Sequence, residues 1–321
     1  MAIITARYND KMPIGETYQE IYSHLATMKN EEVEVDVAGV KLDLANSACS
    51  YGGVNYPLND RAIGMLCDRL RIGRLHEMLS PATYKSVEAE LQDHIDTLPG
   101  QLKLKHKNGV VNAVVSGKYK ELPYDESVRV LEDVGARPIR VTTNDAILKV
   151  QAIFGDGQFS FTPKDGQEMS LGVQMQSSDV GASSLQFDVF TYRWICQNGM
   201  VMGKNSLFKF RNIHIMSRDK TAAAVDSEIK RVLTAARGEL KSRIDRLINT
   251  KVDRQAVVKF LAAQPLGKKA LGLMAEKVVE AKNMYGIVNA LTLAGHDPDN
   301  SASLQATFEL AAGELMMLSV A

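Results

Sequence analysis

The chain of 321 residues has only three cysteines, one tryptophan and no net charge. Cys49, Cys67 and Cys196 are odd in number and far apart, which argues against a disulfide framework and fits a reducing compartment. No apolar run approaches the roughly 20 residues of a membrane helix. The opening residues, MAIITARYNDKMP, are charged where a secretory signal is apolar, so we expect a cytoplasmic protein without a membrane partner.

The chain has 38 basic and 38 acidic residues and therefore no net charge. It lacks the positive charge over the whole protein that would indicate an obvious nucleic-acid binder. The charge is unevenly distributed, however. Residues 1–60 hold 4 basic and 9 acidic side chains, whereas residues 201–260 hold 14 and 6, a net charge of +8. Such a concentration of positive charge predicts a local surface for an acidic partner.

Motifs for nucleotides, metals and catalysis are also missing. The segment GMVMGKN (Gly199–Asn205) has three residues between its glycines instead of four, and Asn follows the Lys, so it does not match a phosphate loop. The six histidines are scattered and there is no Cys-x-x-Cys pair, which argues against zinc. We therefore expect no catalytic residue, no metal and no cofactor, and a protein that is not an enzyme.

Two weaker chemical hypotheses stay open. Cys196 would form a thiolate if His214 lay beside it, although a cysteine among aromatic residues is more often a small buried hydrophobe. Glu32, Glu34 and Asp36 share one face of a predicted strand and could hold magnesium, although a solvated strand face is the simpler interpretation.

The first two thirds of the chain read as a mixture of helices and strands. Alternation in Glu31–Leu44 predicts two paired strands that turn near Gly39, and Ala146–Pro163 predicts a hairpin through Gly155-Asp156-Gly157. Asn198-Gly199 is a favoured pair for a two-residue turn. Short turns between consecutive strands imply an antiparallel or mixed sheet. Further strands are predicted at Gly109–Ser116, Met169–Asp179, Ser184–Cys196 and Asn205–Ile215.

The last third reads as helical. Asp219–Asn249 predicts one long helix, because its apolar residues form one stripe at helical spacing: Ile229, Val232, Leu233, Ala236, Leu240, Ile244 and Leu247. Three more helices are predicted at Asp253–Ala263, Lys268–Lys282 and Ser301–Leu318. The fold class is therefore α+β, with a central sheet followed by a long helix and a C-terminal helical region. We expect a sheet domain over residues 1–217 and a helical region over 218–321 packed on it.

The basic residues of this part form a candidate track for a phosphate backbone. Lys209 and Arg211 share one face of their predicted strand, and Lys230, Arg237 and Lys241 flank the apolar stripe of the long helix. The alternative is a solvated helix face neutralised by Glu228, Glu239 and Asp245. The predicted track also includes other cations and two aromatic candidates for base stacking: Arg193, Lys204, Arg218, Tyr192 and Phe208.

Four segments together resemble a known family. They are AVVSGKY (Ala113–Tyr119), LGVQMQSSDVGASSLQFDVFTYRWICQNGM (Leu171–Met200), FRNIH (Phe210–His214) and MYGIVNALTLAGH (Met284–His296). The chain is similar to the phage and plasmid family of domains of unknown function numbered 932, from about Asn59 to the end. Where the family usually has Asp-Arg before the tyrosine of the first segment, this chain has Gly117-Lys118.

The resemblance implies a mobile-element context and distant kinship with phage single-strand annealing proteins. Those proteins form rings or filaments, bind DNA in a basic groove and need no nucleotide. The expected function is thus an oligomeric protein that binds and anneals single-stranded DNA in a bacterial cytoplasm. The alternative is a non-enzymatic assembly component, or an inhibitor whose partner is a host protein and whose acidic N-terminal region imitates nucleic acid.

Overall fold

The protein is represented by a computed structural model that describes residues 2–4, 14–73, 75–78, 81–120, 123–143, 146–154, 159–193, 198–201, 209–212, 218–295, 300 and 302–318. The helices are α1 (Ile14–Ala26), α2 (Asp60–Arg69), α3 (Leu75–Met78), α4 (Pro81–Asp96), α5 (Tyr124–Asp133), α6 (Arg218–Asn249), α7 (Arg254–Ala262), α8 (Gly267–Glu280), α9 (Met284–Gly295) and α10 (Ala302–Leu318). The strands are β1 (Ala2–Ile4), β2 (Glu31–Asp36), β3 (Lys41–Asp43), β4 (Ala48–Tyr51), β5 (Val54–Pro57), β6 (Gln101–Lys107), β7 (Val110–Ser116), β8 (Ala136–Thr143), β9 (Leu148–Phe154), β10 (Ser160–Phe161), β11 (Met169–Ser177), β12 (Leu185–Arg193), β13 (Asn198–Val201) and β14 (Lys209–Asn212).

The largest sheet has eight antiparallel strands, with β1-β8-β9-β11-β12-β13 in spatial order and β10 and β14 beside β11 and β12. Successive residues of a strand face opposite sides. On β12, Leu185, Phe187 and Val189 are buried in the main core, whereas Gln186 and Asp188 belong to the other face. We call these the apolar face and the polar face. The predicted α+β class with an antiparallel or mixed central sheet is confirmed, and all strand pairs of this sheet among the described residues are antiparallel.

The long helix α6 covers the apolar face with the stripe that the sequence predicts. Its seven stripe residues are all buried, and Leu240, Ile244 and Leu247 are fully inaccessible to solvent. They share one core cluster with strands β8, β9, β11 and β12. The predicted helices at α7, α8 and α10 are present as well. We did not predict α9 from the helical period; Gly286 lies in its first turn and weakens the local helix signal.

The N-terminal part builds two further three-stranded sheets, β2-β6-β7 and β3-β4-β5. Our prediction that Glu31–Leu44 is one strand pair was wrong. A short 3₁₀ turn at Val37–Gly39 separates β2 from β3, and each strand pairs in a different sheet. The run NDRAIGMLCDRL predicts a helix with Asn59 as its N-cap, and α2 confirms it, since the Asn59 side chain accepts a hydrogen bond of 2.9 Å from the Ala62 amide.

Two predicted hairpins were also wrong, although Gly155-Asp156-Gly157 itself lies outside the described residues. β9 and β10 do not pair with each other; both pair with the same edge of β11, one after the other, as a single interrupted strand. Asn198 and Gly199 are not turn residues. They lie within β13 and pair with Arg193 and Tyr192.

The buried residues fall into two large clusters. One comprises β2–β7 with α2 and Ile95 of α4, and the other comprises α1, α5, the large sheet and the helices from α6 onward. Along the chain, the boundary between the two clusters lies after Ser116. The large sheet, which precedes residue 217, and α6, which follows it, share one core. Whether residues 1–217 and 218–321 fold separately stays a prediction. Among the described residues, no helix is both long and apolar enough to cross a bilayer.

Candidate functional site

The solvent face of α6 carries the basic residues that the sequence placed beside the stripe. Lys230, Arg237 and Lys241 are all exposed. Between residues 227 and 251, every exposed position is basic, hydroxylated, an amide or small, and the acidic residues are all partly buried. The exposed positions are Ser227, Lys230, Arg231, Thr234, Ala235, Arg237, Gly238, Lys241, Ser242, Arg246, Asn249, Thr250 and Lys251.

The carboxylates of α6 form ion pairs with some of these cations. Asp226 lies 2.8 Å from the Lys230 ammonium, and Asp245 lies 3.0 Å from that of Lys241. The hydrogen bond from Arg231 holds the pKa of Glu228 below its usual value. In the pairs of Lys230 and Lys241 the cation is the more exposed partner: 53% of the Lys230 side chain is accessible against 36% for Asp226, and 45% of Lys241 against 16% for Asp245.

Such pairs are weak enough to exchange for a phosphate. An exposed i,i+4 pair stabilises a helix by only about 0.3–0.5 kcal/mol, because water screens both charges. The carboxylates thus reduce the field of the α6 face without blocking access to its cations. The alternative of a solvated face neutralised by Glu228, Glu239 and Asp245 is realised in part, since each of these carboxylates binds a cation one turn away.

The register of β14 places its two basic positions opposite residues of the polar face of the sheet. Lys209 and Arg211 pair with Asp188 and Gln186, whose positions belong to the polar face, while Phe210 pairs with Phe187 on the apolar face that α6 covers. The sheet therefore lies between the β14 positions and α6. A single groove that includes Lys209, Arg211 and α6 stays a prediction, because the side chains of Lys209 and Arg211 are not described.

Several members of the predicted track are only partly described. Lys204 and Phe208 lie outside the described residues, as do Trp194, Cys196 and His214. The backbone places Arg193 opposite Met169, whose side chain is in the apolar core, and places Arg218 at the first residue of α6. The thiolate hypothesis for Cys196 thus stays a prediction, and so do the contacts of the four cations Arg193, Lys209, Arg211 and Arg218, whose side chains are not described.

Tyr192 does not provide the stacking platform that we expected. Its side chain is 4% exposed and packs with Ile139, Ile153 and Phe190 in a small cluster on the other side of the sheet from α6. Leu310 of α10 lies against the same cluster. Gly172 makes room for this packing, since a Cβ there would meet the Phe190 ring at 2.6 Å.

The carboxylates of β2 are held by lysines instead of standing ready for magnesium. The Lys103 ammonium lies 2.8 Å from Glu32 and 3.4 Å from Glu34, and Lys105, 1% exposed, lies 3.4 Å from Glu32. The pairing strand β6 supplies both lysines, which sequence spacing within β2 could not reveal. In the described part of the chain, no group of three or more metal-ligating side chains is present.

A second polar region, which the sequence analysis missed, lies where two of the family-like segments meet. The Tyr119 hydroxyl donates a hydrogen bond of 3.2 Å to the Ser178 carbonyl, which joins Ala113–Tyr119 to the segment that starts at Leu171. Gly181 has a φ of +75° and packs against Val115 and Tyr119. Next to this contact is a cavity of about 460 Å³ between α1, α5 and the loop at Asp179.

Comparison with known proteins identifies the family. The family described as "Domain of unknown function (DUF932)" matches residues 111–308, which is more than half of the chain and includes all four segments quoted above. The chain belongs to this family, although the match is shorter than the expected region from Asn59 to the end. No curated protein and no solved structure matches the chain.

Proposed function

We propose that this member of the DUF932 family is an oligomeric protein that binds single-stranded DNA along the solvent face of α6 and promotes annealing without a nucleotide. The observation that carries the proposal is the partial burial of every acidic residue between 227 and 251, while five exposed cations follow the helix there: Lys230, Arg231, Arg237, Lys241 and Arg246.

The length and composition of this face suit a sugar-phosphate backbone. From Lys230 to Arg246 the helix rises about 24 Å, enough for the lower end of the roughly 4–16 nucleotides that single-strand-binding folds cover. The exposed residues between the cations are short, among them Ala235, Gly238 and Ser242, so a strand could approach the helix closely. Since Tyr192 is buried, the proposed mechanism is mainly electrostatic tracking, with little preference among bases.

Self-association belongs to the same proposal. Two helices after α6 carry large apolar side chains on the surface: Val258 on α7 is 53% exposed, and Leu273 and Val279 on α8 are 49% and 69% exposed. Exposed apolar residues favour association when they form a contiguous patch. Light scattering with and without DNA would reveal a ring or filament. We place this activity in the cytoplasm of a bacterial host, with other recombination proteins of a mobile element.

Titration of single-stranded and double-stranded oligonucleotides at several salt concentrations tests the proposal. Each phosphate contact with a single strand contributes a slope of about −0.7 to the dependence of log K on log salt, because bound counterions are released. Five contacts predict a slope of about −3.5. Binding without a salt dependence, or no binding near about 50 mM salt, would contradict the proposal.

The alternative of a host-factor inhibitor is less well supported. It depended on an acidic N-terminal region that imitates nucleic acid, but Lys103 and Lys105 neutralise Glu32 and Glu34 within their own sheet. Failure of the DNA titration together with a defined complex with one host protein would favour that alternative instead.

A further inference from the structure

The turn between β10 and β11 (residues 162–168) packs beside the basic face of α6. The backbone amide of Lys164 donates a hydrogen bond of 2.8 Å to one carboxylate oxygen of Asp245 on α6. The other carboxylate oxygen of Asp245 accepts from the Lys241 ammonium at 3.0 Å. One carboxylate therefore joins a lysine of the turn to a lysine of the helix.

The turn holds Lys164 in a defined position. Phe161 and Met169, on either side of the turn, are buried in the main core. Pro163 is buried as well, and its carbonyl accepts a hydrogen bond of 3.0 Å from the Gly166 amide. The Lys164 side chain is exposed. A cation on a backbone that is already ordered loses less conformational entropy when it binds a ligand.

The carboxylates nearest to Lys164 have donors of their own. Asp165 accepts from the Gln167 amide at 3.1 Å within the turn. Asp245 is only 16% exposed, and both of its oxygens accept hydrogen bonds. Burial alone would raise the pKa of Asp245, but the Lys164 amide and the Lys241 ammonium hold that pKa below its usual value. The Asp245 carboxylate thus stays charged and keeps both partners in place at neutral pH.

Lys164 continues one flank of α6. Lys230, Arg237 and Lys241 follow one another at spacings of seven and four residues, which places them within about 40° of each other around the helix axis. Asp245 lies one turn of the helix further on, so the β10–β11 turn stands at the end of this line of cations. The turn also carries an exposed carboxylate at Glu168, which opposes phosphate, so we assign only its lysine to the binding face.

We infer that Lys164 is a further DNA-binding residue and that Asp245 is the positioning residue that holds it beside Lys241, so that the two ammonium groups contact neighbouring phosphates of one strand. This inference rests on the proposed binding of single-stranded DNA by α6, and it names the flank that the strand follows. It also gives Asp245 a function within the basic face, since a carboxylate that only neutralised Lys241 would weaken phosphate binding.

Lys164→Gln tests the phosphate contact, because it removes the positive charge and keeps the backbone amide that binds Asp245. The slope of log K against log salt should become less steep by about 0.7, the value for one phosphate, and binding should weaken about fivefold at about 0.1 M salt. The control is Lys85→Gln on α4, which removes the same charge from another exposed lysine. This control variant should keep the wild-type slope and affinity.

The same titration separates this inference from the proposed function. If the wild type binds single-stranded DNA with a steep salt dependence while Lys164→Gln behaves like Lys85→Gln, the assignment of Lys164 is wrong and the proposed function stands. Absence of binding by the wild type overturns both.

Asp245→Asn and Asp245→Ala distinguish positioning from charge. Both variants remove one negative charge, but the Asn side-chain carbonyl can still accept from the Lys164 amide, whereas Ala cannot. Lys164→Gln should therefore weaken DNA binding about fivefold in the Asp245→Asn background and less than about twofold in the Asp245→Ala background. Equal losses in the two backgrounds would show that Asp245 does not position Lys164 and would overturn its role.

Discussion

Arg140 on β8 donates a hydrogen bond of 2.5 Å to the Glu309 carboxylate on α10, and this ion pair fixes the last helix on the polar face of the sheet. The second carboxylate oxygen accepts a hydrogen bond of 3.1 Å from Gln151, and Gln305 binds the other arm of the guanidinium. The pair thus stands in a hydrogen-bonded network, which a buried charge requires.

Replacing the Glu309 carboxyl group should destabilise the fold in a pH-dependent way. Glu309→Gln puts an NH₂ group in place of one of the two oxygens that accept from Arg140 and Gln151, so a donor would face a donor, and should cost about 1–3 kcal/mol of unfolding free energy. Burial raises the pKa of Glu309 despite the opposing effect of Arg140. The folded state then binds the Glu309 proton more tightly than the unfolded state, so the contribution of Glu309 is largest below about pH 4 and falls as pH rises through the folded pKa.

Urea unfolding of the wild type and Glu309→Gln from about pH 4 to pH 7 measures this effect. The stability advantage of the wild type should shrink as pH rises. An advantage that grows with pH would mean that Arg140 outweighs burial and that the folded pKa is depressed.

Neutralising the α6 face should weaken binding to single-stranded DNA and flatten its salt dependence. The triple variant Lys230→Gln, Arg237→Gln and Lys241→Gln removes three of the five exposed cations, so the slope of log K against log salt should become less steep by about 2. Fluorescence anisotropy with a labelled oligonucleotide at several salt concentrations measures both quantities.

The control is a triple variant with the same change in charge at exposed lysines of other helices: Lys259→Gln on α7 with Lys268→Gln and Lys277→Gln on α8. This control variant should keep the wild-type slope of log K against log salt. Equal losses in both triple variants would show that binding follows net charge alone and not the α6 face.

The register of β14 predicts that its basic positions act separately from α6. Because the sheet lies between them and α6, Lys209→Gln with Arg211→Gln should leave the salt slope within about 0.5 of the wild type, less than the value for one phosphate. The same anisotropy titration measures it. A decrease in the salt slope comparable to that of the α6 triple variant would show that the DNA contacts both surfaces, or that the polar face of the sheet is the binding surface.

Gly181 should be intolerant of a side chain, unlike a glycine on the α6 surface. Gly181→Ala places a Cβ at 3.1 Å from Val115 in a backbone conformation with φ of +75°, and should cost about 1–3 kcal/mol. Gly238 lies within the exposed face of α6, where a methyl group would have nothing within 4 Å, so Gly238→Ala should stabilise the protein by about 0.5–1 kcal/mol. Chemical denaturation of both variants checks the contrast, and equal effects of the two substitutions would refute the packing role of Gly181.

Elements with a local and periodic signal could be predicted from the amino-acid sequence alone. The apolar stripe from Ile229 to Leu247 specified α6 and its buried side, because a period of 3.6 residues leaves only one face to bury. The Asn59 cap, the α+β order and the family resemblance were equally readable. The concentration of positive charge after residue 201 also predicted that α6 would carry an exposed basic face.

Contacts between residues that are distant in the chain could be seen only in the folded protein. Pairing of β9 and β10 with the same strand, the position of Lys209 behind the sheet, and the lysines of β6 beside Glu32 all depend on contacts between segments far apart in the chain. The spacing of residues within a strand does not reveal the order of the strands in a sheet. The same alternation of polar and apolar residues fits either neighbouring strand and either edge of the sheet. The cavity between α1, α5 and the loop at Asp179 is the same case, since it exists only where α5 meets the loop after β11.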